Sequence, residues 1–358
     1  MRISGFGIYR YTLPFTEPLT LKGETLRSRK GLLLRLIGDV SSEGWGEASP
    51  LPGFSRETLD EAADQLMDAS ESMAATGRSP SQDTPSILHP ETVASVCFAI
   101  ELATLNLNAA RRGVSALELL DPNAGGLLPI NGLLSGQANE VVAASRRMRD
   151  AGYRTVKLKV GSLPVEADAE RVREVSGILG DRVSLRLDAN RAWSFDEAMA
   201  FANATREVRI EYIEEPLADA ALLPRFADES GMPVALDESL VDKKPEELSR
   251  HGYARAVVLK PTLLGGISHT LRMAEEAHRL GMTPVISSAY EAGIGTLGLI
   301  SLSAATGGAP AGLDTYRRIA EDTLIPPPEL HSPTIAVRPM LETPRSIDVD
   351  RLELIASL

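Results

Sequence analysis

The sequence predicts a barrel of alternating strands and helices, with a smaller α+β unit ahead of it, on three observations. Between about residue 129 and residue 315 one pattern recurs: a helix-like segment ends at a glycine, a few residues follow, and a short apolar strand closes on a polar residue. Its instances are AGYRTVKLK, LGDRVSLRLD, SGMPVALDE, HGYARAVVLK and LGMTPVISS. The expected strand ends, Leu133, Lys159, Asp188, Glu214, Asp237, Lys260, Ser287 and Asp314, lie 23 to 29 residues apart, as eight consecutive strand–helix units require. No glycine fingerprint follows the first strand, which counts against a doubly wound open sheet.

The elements can be justified in order. ISGFGIYRYTL and GLLLRLIGD read as strands, with Gly31 and Gly38 punctuating the second. Helices are expected over 55–72 and 90–112, around a polar connector at 72–83. The apolar stretch holding Cys97 and Phe98 reads as core. In the repeating section Gly152, Gly180, Gly231, Gly252 and Gly281 stand where a helix C-terminus favours positive φ. VRIEYIEE lacks the glycine but keeps the strand and its polar end. The strands are rich in Val, Ile and Leu, as expected when both faces are buried. Ser194 with Glu197 forms a capping box ahead of an amphipathic run, and Val172, Val175 and Leu179 keep helical spacing. Beyond about Tyr316 the chain is proline-studded (IPPPEL) and is expected to pack back on the first unit. The expected divisions are 1–125, 126–316 and 317–358.

Composition narrows the function. At 358 residues, 43% hydrophobic and 24% charged, the chain is long enough for two units and ordinary for a folded soluble protein. A net charge of −12 argues against a nucleic-acid binder. The single cysteine, Cys97, excludes a disulfide framework and a cysteine zinc site. The opening MRISGFGIYRYTLPF has no signal-peptide pattern, and no apolar run approaches a membrane span. A cytoplasmic protein acting on a small molecule, without nucleic-acid or membrane partners, is expected.

Chemistry in such barrels collects at the C-terminal strand ends. One acid there commonly caps the next helix; three on consecutive strands repel unless a cation compensates them. Asp188, Glu214 and Asp237 therefore read as an all-oxygen site, which suits Mg²⁺. The five histidines lie away from strand ends, against zinc. Only one of Glu214 and Glu215 can enter the barrel, because neighbours on a strand point to opposite faces. Lys157 and Lys159 share a face, with Leu158 and Val160 turned to the helices, and Lys260 ends a strand across the barrel. These lysines either pair with the acids as a structural network or flank a substrate held at a metal, one of them as a base for abstraction α to a carboxylate.

The motifs KLK (157–159), LDAN (187–190), EEP (214–216), LDES (236–239) and LKP (259–261) resemble those of the enolase superfamily. With lysine at both base positions, they are most similar to its muconate-lactonising subgroup. The resemblance implies a modified (β/α)8-type TIM barrel, (β/α)7β, with an α+β capping domain made of the N-terminal part and the C-terminal tail. It implies Lys159 and Lys260 as catalytic, Asp188, Glu214 and Asp237 as Mg²⁺ ligands, and Lys157, Arg186, Asn190, Ser287, Ser288 and Asp314 as supporting or substrate-binding. GWGEASPLPGFSRETL (44–59), LRLDANRAW (185–193), VLKPTLLGG (258–266), VISSAYEAGIG (285–295) and GLDT (312–315) resemble a particular branch. Its members dehydrate 2-succinyl-6-hydroxy-2,4-cyclohexadiene-1-carboxylate to o-succinylbenzoate in menaquinone biosynthesis. N-succinylamino acid racemases and dipeptide epimerases share the lysines and metal acids and stand as alternatives; the single acid of GLDT counts against the epimerases. A non-catalytic barrel is the other class, and Mg²⁺ binding would discriminate. Asn190 either joins the metal site or caps the following turn, and Arg186 either faces the site or neutralises an acid. Trp45 and Phe54 either cover the cavity mouth or pack the capping unit.

Overall fold

The computed structural model describes residues 2–39, 42–77 and 91–358. His89, the expected helix start at Pro90 and the 78–83 part of the polar connector lie outside the described residues.

The chain begins with a long hairpin. β1 (Ile3–Leu21) and β2 (Glu24–Gly38) pair antiparallel through a turn at Lys22 and Gly23, both with positive φ, and the register breaks between Pro14 and Leu19. β3 (Glu43–Ala48) adds to β2. α1 (Leu59–Thr76) starts four residues later than its sequence suggested, because 51–55 forms a turn and the working capping box is Thr58 with Glu61. α2 (Ala94–Arg112) ends on Gly113 at φ 65° and lies on β2 and β3. Ile3, Phe6, Leu34, Val96 and Ile100 are among the residues that fill the space between them. α3 (Ala116–Leu120) and β4 (Leu127–Pro129) lead into the barrel.

Among the described residues the barrel holds a parallel sheet of seven strands, each beside its neighbour in sequence. They are β5 (Gly132–Leu134), β6 (Thr155–Lys159), β7 (Ser184–Asp188), β8 (Ile210–Glu214), β9 (Val234–Leu236), β10 (Ala254–Leu259) and β11 (Thr283–Ile286). Helices α4 (Ala138–Asp150), α5 (Val165–Leu179), α6 (Phe195–Ala204), α7 (Leu223–Ser230), α8 (Pro261–Leu264), α9 (Gly266–Arg279) and α10 (Gly293–Ala305) connect or follow them. The Ser194–Glu197 capping box opens α6. Gly152, Gly180, Gly231 and Gly281 have the positive φ their positions suggested. Gly252 does not: at φ −57° it follows a 3-10 helix, Pro245–His251, that runs into β10 without a left-handed cap. The eighth strand is also shorter than expected. It survives as parallel bridges from Ala311 to Ile130 and from Gly312 to Ser287, and Asp314 already opens a 3-10 turn. These bridges join β11 back to the first strand, so the sheet curls closed.

Outward residues such as Leu158, Leu187, Ile213 and Leu259 pack into the main core under the helices. Inward, Tyr212, Ala235, Ala256 and Val258 plug the barrel floor. After α10 come β12 (Leu324–Ile325), β13 (Thr334–Ala336), α11 (Val337–Glu342) and β14 (Ser346–Ile347). The last strand, β15 (Leu352–Ser357), returns to pair with β1, so the tail is part of the first sheet. Among the described residues no helix is long and apolar enough to cross a membrane.

Candidate active site

Register builds the site. Lys159 stands opposite Asp188 and Asp188 opposite Glu214 in the parallel ladders, so these side chains form one row at the strand ends, on the inner face. Asp237 follows β9 directly, and Lys260 follows β10. Two residues down the strand the next inward row holds Lys157 and Arg186. The row above them opens into a cavity with about 680 Å³ of free space, its mouth included. Lys157, Lys159, Asp188, Asn190 and Lys260 form the charged and polar floor. Leu21, Leu51 and Phe54 descend from the capping domain, and Ser287, Ser288, Asp314 and Thr315 come from the closing strands and loops.

The charges are interleaved. Lys159 Nζ donates to Asp188 Oδ2 at 2.7 Å and to Asn190 Oδ1 at 2.6 Å. Lys157 Nζ donates to Glu214 Oε2 at 3.0 Å and lies 3.3 Å from Asp188. Lys260 Nζ donates to Asp237. Burial pushes the Asp188 carboxyl up, but the ammoniums of Lys159 and Lys157 more than reverse it and hold the group below the ordinary range. Glu214 ends up the other way. Burial raises it, Lys157 pulls it down, and the charges of Asp188 and Asp237 raise it again, so it stays above the ordinary carboxylate range. Lys157 and Lys260 are disfavoured as cations by burial, yet Glu214 and Asp188 for the first and Asp237 for the second leave both raised. They remain ammoniums. Lys159, whose side chain is 38% exposed, is the most exposed of the three lysines that line the cavity.

The donor set suits a hard divalent cation. Asp188, Glu214 and Asp237 offer only oxygen, are at most 5% exposed, and come from three adjacent strands. Such crowding of buried like charges is stable only beside cations. In the arrangement described, lysine ammoniums hold these oxygens, and among the described residues no three His, Cys, Asp or Glu side chains are already gathered at ligating geometry. Glu215, just past the end of β8 at φ 39°, turns to the loop after β9 instead: it accepts from the Asp237 and Ser239 amides at 2.9 and 2.8 Å and pairs with Arg191.

The other sequence-selected residues divide. Asn190, at φ 43°, bonds Lys159 and also donates to Glu238, so it serves both the site and its turn. Ser287, Ser288 and Asp314 reach the cavity, where Asp314 also accepts from the Leu133 amide at 3.0 Å. Arg186 does not line it. Its guanidinium sits at the barrel floor, bonded to Glu211 and the Pro310 carbonyl and stacked over Tyr212, because its place two residues before Asp188 sets it one layer deeper. Phe54 lines the cavity, whereas Trp45 packs against Tyr9 in a separate groove. Leu21, Asn131, Leu263, Tyr290 and Thr315 were not singled out by the sequence. Asn131 and Tyr290 sit beside short bridges or in a left-handed turn, where strand alternation gives no signal; Tyr290 did stand inside the VISSAYEAGIG motif.

Two family models match the chain: "Enolase C-terminal domain-like" over residues 140–340 and "MenC, N-terminal domain" over residues 3–106. The chain is 33% identical over 320 residues to the o-succinylbenzoate synthase of Haemophilus influenzae, covering 88% of this chain and 91% of the relative. Among solved structures, the L-Ala-D/L-Glu epimerase from Bacillus subtilis superposes with TM-score 0.83 at 22% identity, over 100% of both chains. A dipeptide epimerase from Enterococcus faecalis, complexed with Mg and a dipeptide, gives TM-score 0.83 at 22% identity over 94% of this chain and 97% of its own.

Proposed function

The chain belongs to the enolase superfamily, and we propose that it is the lyase that dehydrates 2-succinyl-6-hydroxy-2,4-cyclohexadiene-1-carboxylate to o-succinylbenzoate in menaquinone biosynthesis. One observation carries this reading. Two lysines face one cavity from opposite sides of three buried strand-end acids, in a chain one-third identical, over most of its length, to o-succinylbenzoate synthases.

Asp188, Glu214 and Asp237 would hold Mg²⁺, which when bound supplies Lewis-acid charge to the substrate carboxylate. Lys159 removes the proton α to that carboxylate; its side chain is the most exposed of the cavity's lysines, and Asn190 and Asp188 fix its direction. Lys260, held as an ammonium by Asp237, faces the negative charge that develops, from the opposite side. Once protonated, Lys159 is placed to return the proton to the departing hydroxyl as the C–O bond breaks, so water leaves and the ring becomes aromatic. Elimination needs no second base. Lys157, buried against Glu214 and Asp188, offsets part of their negative charge beside the base. Leu21, Leu51 and Phe54 give the substrate an apolar roof.

The test is turnover of the cyclohexadiene acid by the wild type and by Lys159→Ala and Lys260→Ala. Each variant should lose at least ~10²–10⁴-fold in kcat while its circular dichroism and Mg²⁺ binding persist. Near wild-type formation of o-succinylbenzoate by Lys159→Ala would overturn the mechanism. The same two lysines on opposite sides would suit an N-succinylamino acid racemase. Incubating the wild type with such a substrate in heavy water separates the readings: α-deuterium exchange without dehydration of the cyclohexadiene acid would replace the proposal.

A further inference from the structure

A buried arginine outside the reacting centre ties the two walls of the cavity together. Arg29, on β2 of the capping domain, is 2% exposed, and its guanidinium bonds only backbone carbonyls. Nε donates to Tyr290 O at 2.8 Å, and Nη1 to Pro50 O at 2.8 Å and Lys30 O at 3.1 Å. Nη2 donates to Ser49 O, and to Ala289 O at 3.3 Å. All five N–H donors of a planar, rigid fork are thus used.

Apart from Lys30, Arg29's own neighbour, these carbonyls come from two segments that are far apart in sequence and both border the cavity. Ser49 and Pro50 immediately precede Leu51 and Phe54, the apolar roof. Ala289 and Tyr290 belong to the barrel loop after β11, which lines the cavity beside that roof. Tyr290 has φ 64°, an unfavourable backbone for a bulky residue, and needs its surroundings to hold it. Its amide donates to Ser288 Oγ at 2.9 Å, and Arg29 takes its carbonyl. Glu291 then anchors the loop to the barrel: it accepts from Ser288 Oγ and the Ala289 amide, and from Thr262 Oγ1, two residues after Lys260. The loop is fixed on the barrel side by Glu291 and on the capping side by Arg29.

We infer that Arg29 is a positioning residue that sets the distance between the capping-domain roof and the Ser288–Tyr290 wall, and so governs how tightly the substrate is gripped away from the lysines. This rests on the proposed dehydration, since the substrate is the ruler. Arg29 touches none of the lysines or acids that do the chemistry, so its loss should appear in KM and leave the proton-transfer step in place. A lysine there keeps the charge but offers a single ammonium, which cannot span both segments.

The experiment compares Arg29→Gln and Arg29→Lys with the wild type. Arg29→Gln should raise KM at least about tenfold, with kcat within about threefold, and Arg29→Lys should recover part of the loss. The pH profile of kcat and Mg²⁺ affinity without substrate should not move. An arginine that is merely structural would lower the melting temperature and leave KM unchanged well below it, and that result, or a fall in kcat alone, overturns the inference. Hydrogen exchange gives a readout that needs no substrate, and its wild-type arm needs no variant. In the wild type the amides of 49–55 and 287–292 should open together with one free energy, and in Arg29→Gln both should exchange faster while the barrel strands do not. Independent opening of the two segments overturns the inference even if the substrate assignment holds. A wild type that fails to dehydrate the cyclohexadiene acid while the two segments open as one would instead defeat the assignment alone.

Discussion

Lysine ammoniums stand between the three buried carboxylates of the site, yet Glu214 is left with its carboxyl raised. Burial raises its carboxyl, and although Lys157 lowers it, Asp188 and Asp237 leave it raised. Over the pH range in which Glu214 is protonated a divalent ion has to displace its proton, so Mg²⁺ affinity should rise there by up to roughly tenfold per pH unit. Calorimetry across pH would show this slope, and Glu214→Gln should flatten it as well as weaken binding; a pH-independent affinity in the wild type would refute the assignment. Without a divalent ion the linkage has a definite sign. The folded-state value of Glu214 lies above the unfolded one, so its part of the stability is lost as pH rises from the ordinary carboxylate range through the raised value. Asp188 is lowered and acts in reverse, its contribution being lost as pH falls below the ordinary range. The residues of this row were legible in the sequence because strand parity is strict: KLK places two lysines inward, and EEP admits one acid only. Parity gives the face and not the height, which is why the sequence left Arg186 between facing the site and neutralising an acid, and could not place it beside Glu211 at the barrel floor.

At the level of elements, β3 was the strand the sequence hid. EGWGEA holds two glycines, which ordinarily count against a strand. Gly44 and Gly46 lie on one face of β3, and that face presses on the backbone of α2. A Cβ at Gly46 would run into the Ala99 carbonyl oxygen, and one at Gly44 into Ala103 O and the Leu107 amide. Spacing of two between the glycines was the available signal, and it reports close approach of a helix rather than a turn. Gly46→Ala should therefore destabilise the protein by about 1–3 kcal/mol through overpacking. Urea unfolding would measure it, and an unchanged midpoint would mean that α2 can move aside without cost. The shortened eighth strand was hidden for a different reason. GLDT has the polar end of a strand, but the ladder there comes down to Ala311 and Gly312, and only their neighbours in space decide that.

The whole molecule is one chain threaded through a sheet twice. It starts in β1, winds the barrel, and comes back as β15 to pair with β1, so the capping sheet is complete only when both ends are in place. That sheet shares an apolar core with the barrel through Tyr11, Leu13 and Leu33, and the joint also holds a buried acid. α10 has no cap of its own: Ala292 at its N-terminus offers no side-chain acceptor. Glu47, fully buried on β3, supplies one from the capping domain, accepting from the Ala292 and Gly295 amides, each at 2.8 Å, and from Tyr11 Oη at 2.7 Å. A carboxylate at that end also meets the positive pole of the helix. Glu47→Gln brings an NH₂ group to a place lined by donors, so about 1–3 kcal/mol of stability should be lost, the range set by unpaired buried donors. The effect should depend on pH. Burial raises the Glu47 carboxyl, and the bonds from Tyr11, Ala292 and Gly295 recover only part of the shift. Its folded-state value thus exceeds the unfolded one, and its contribution is largest at low pH and falls as pH climbs through that interval. Glu47→Gln has no such proton to lose. Urea unfolding at several pH values should show the wild type losing stability across the interval with a steeper slope than the variant. Equal slopes would mean that the domains are held together by something other than this buried acid.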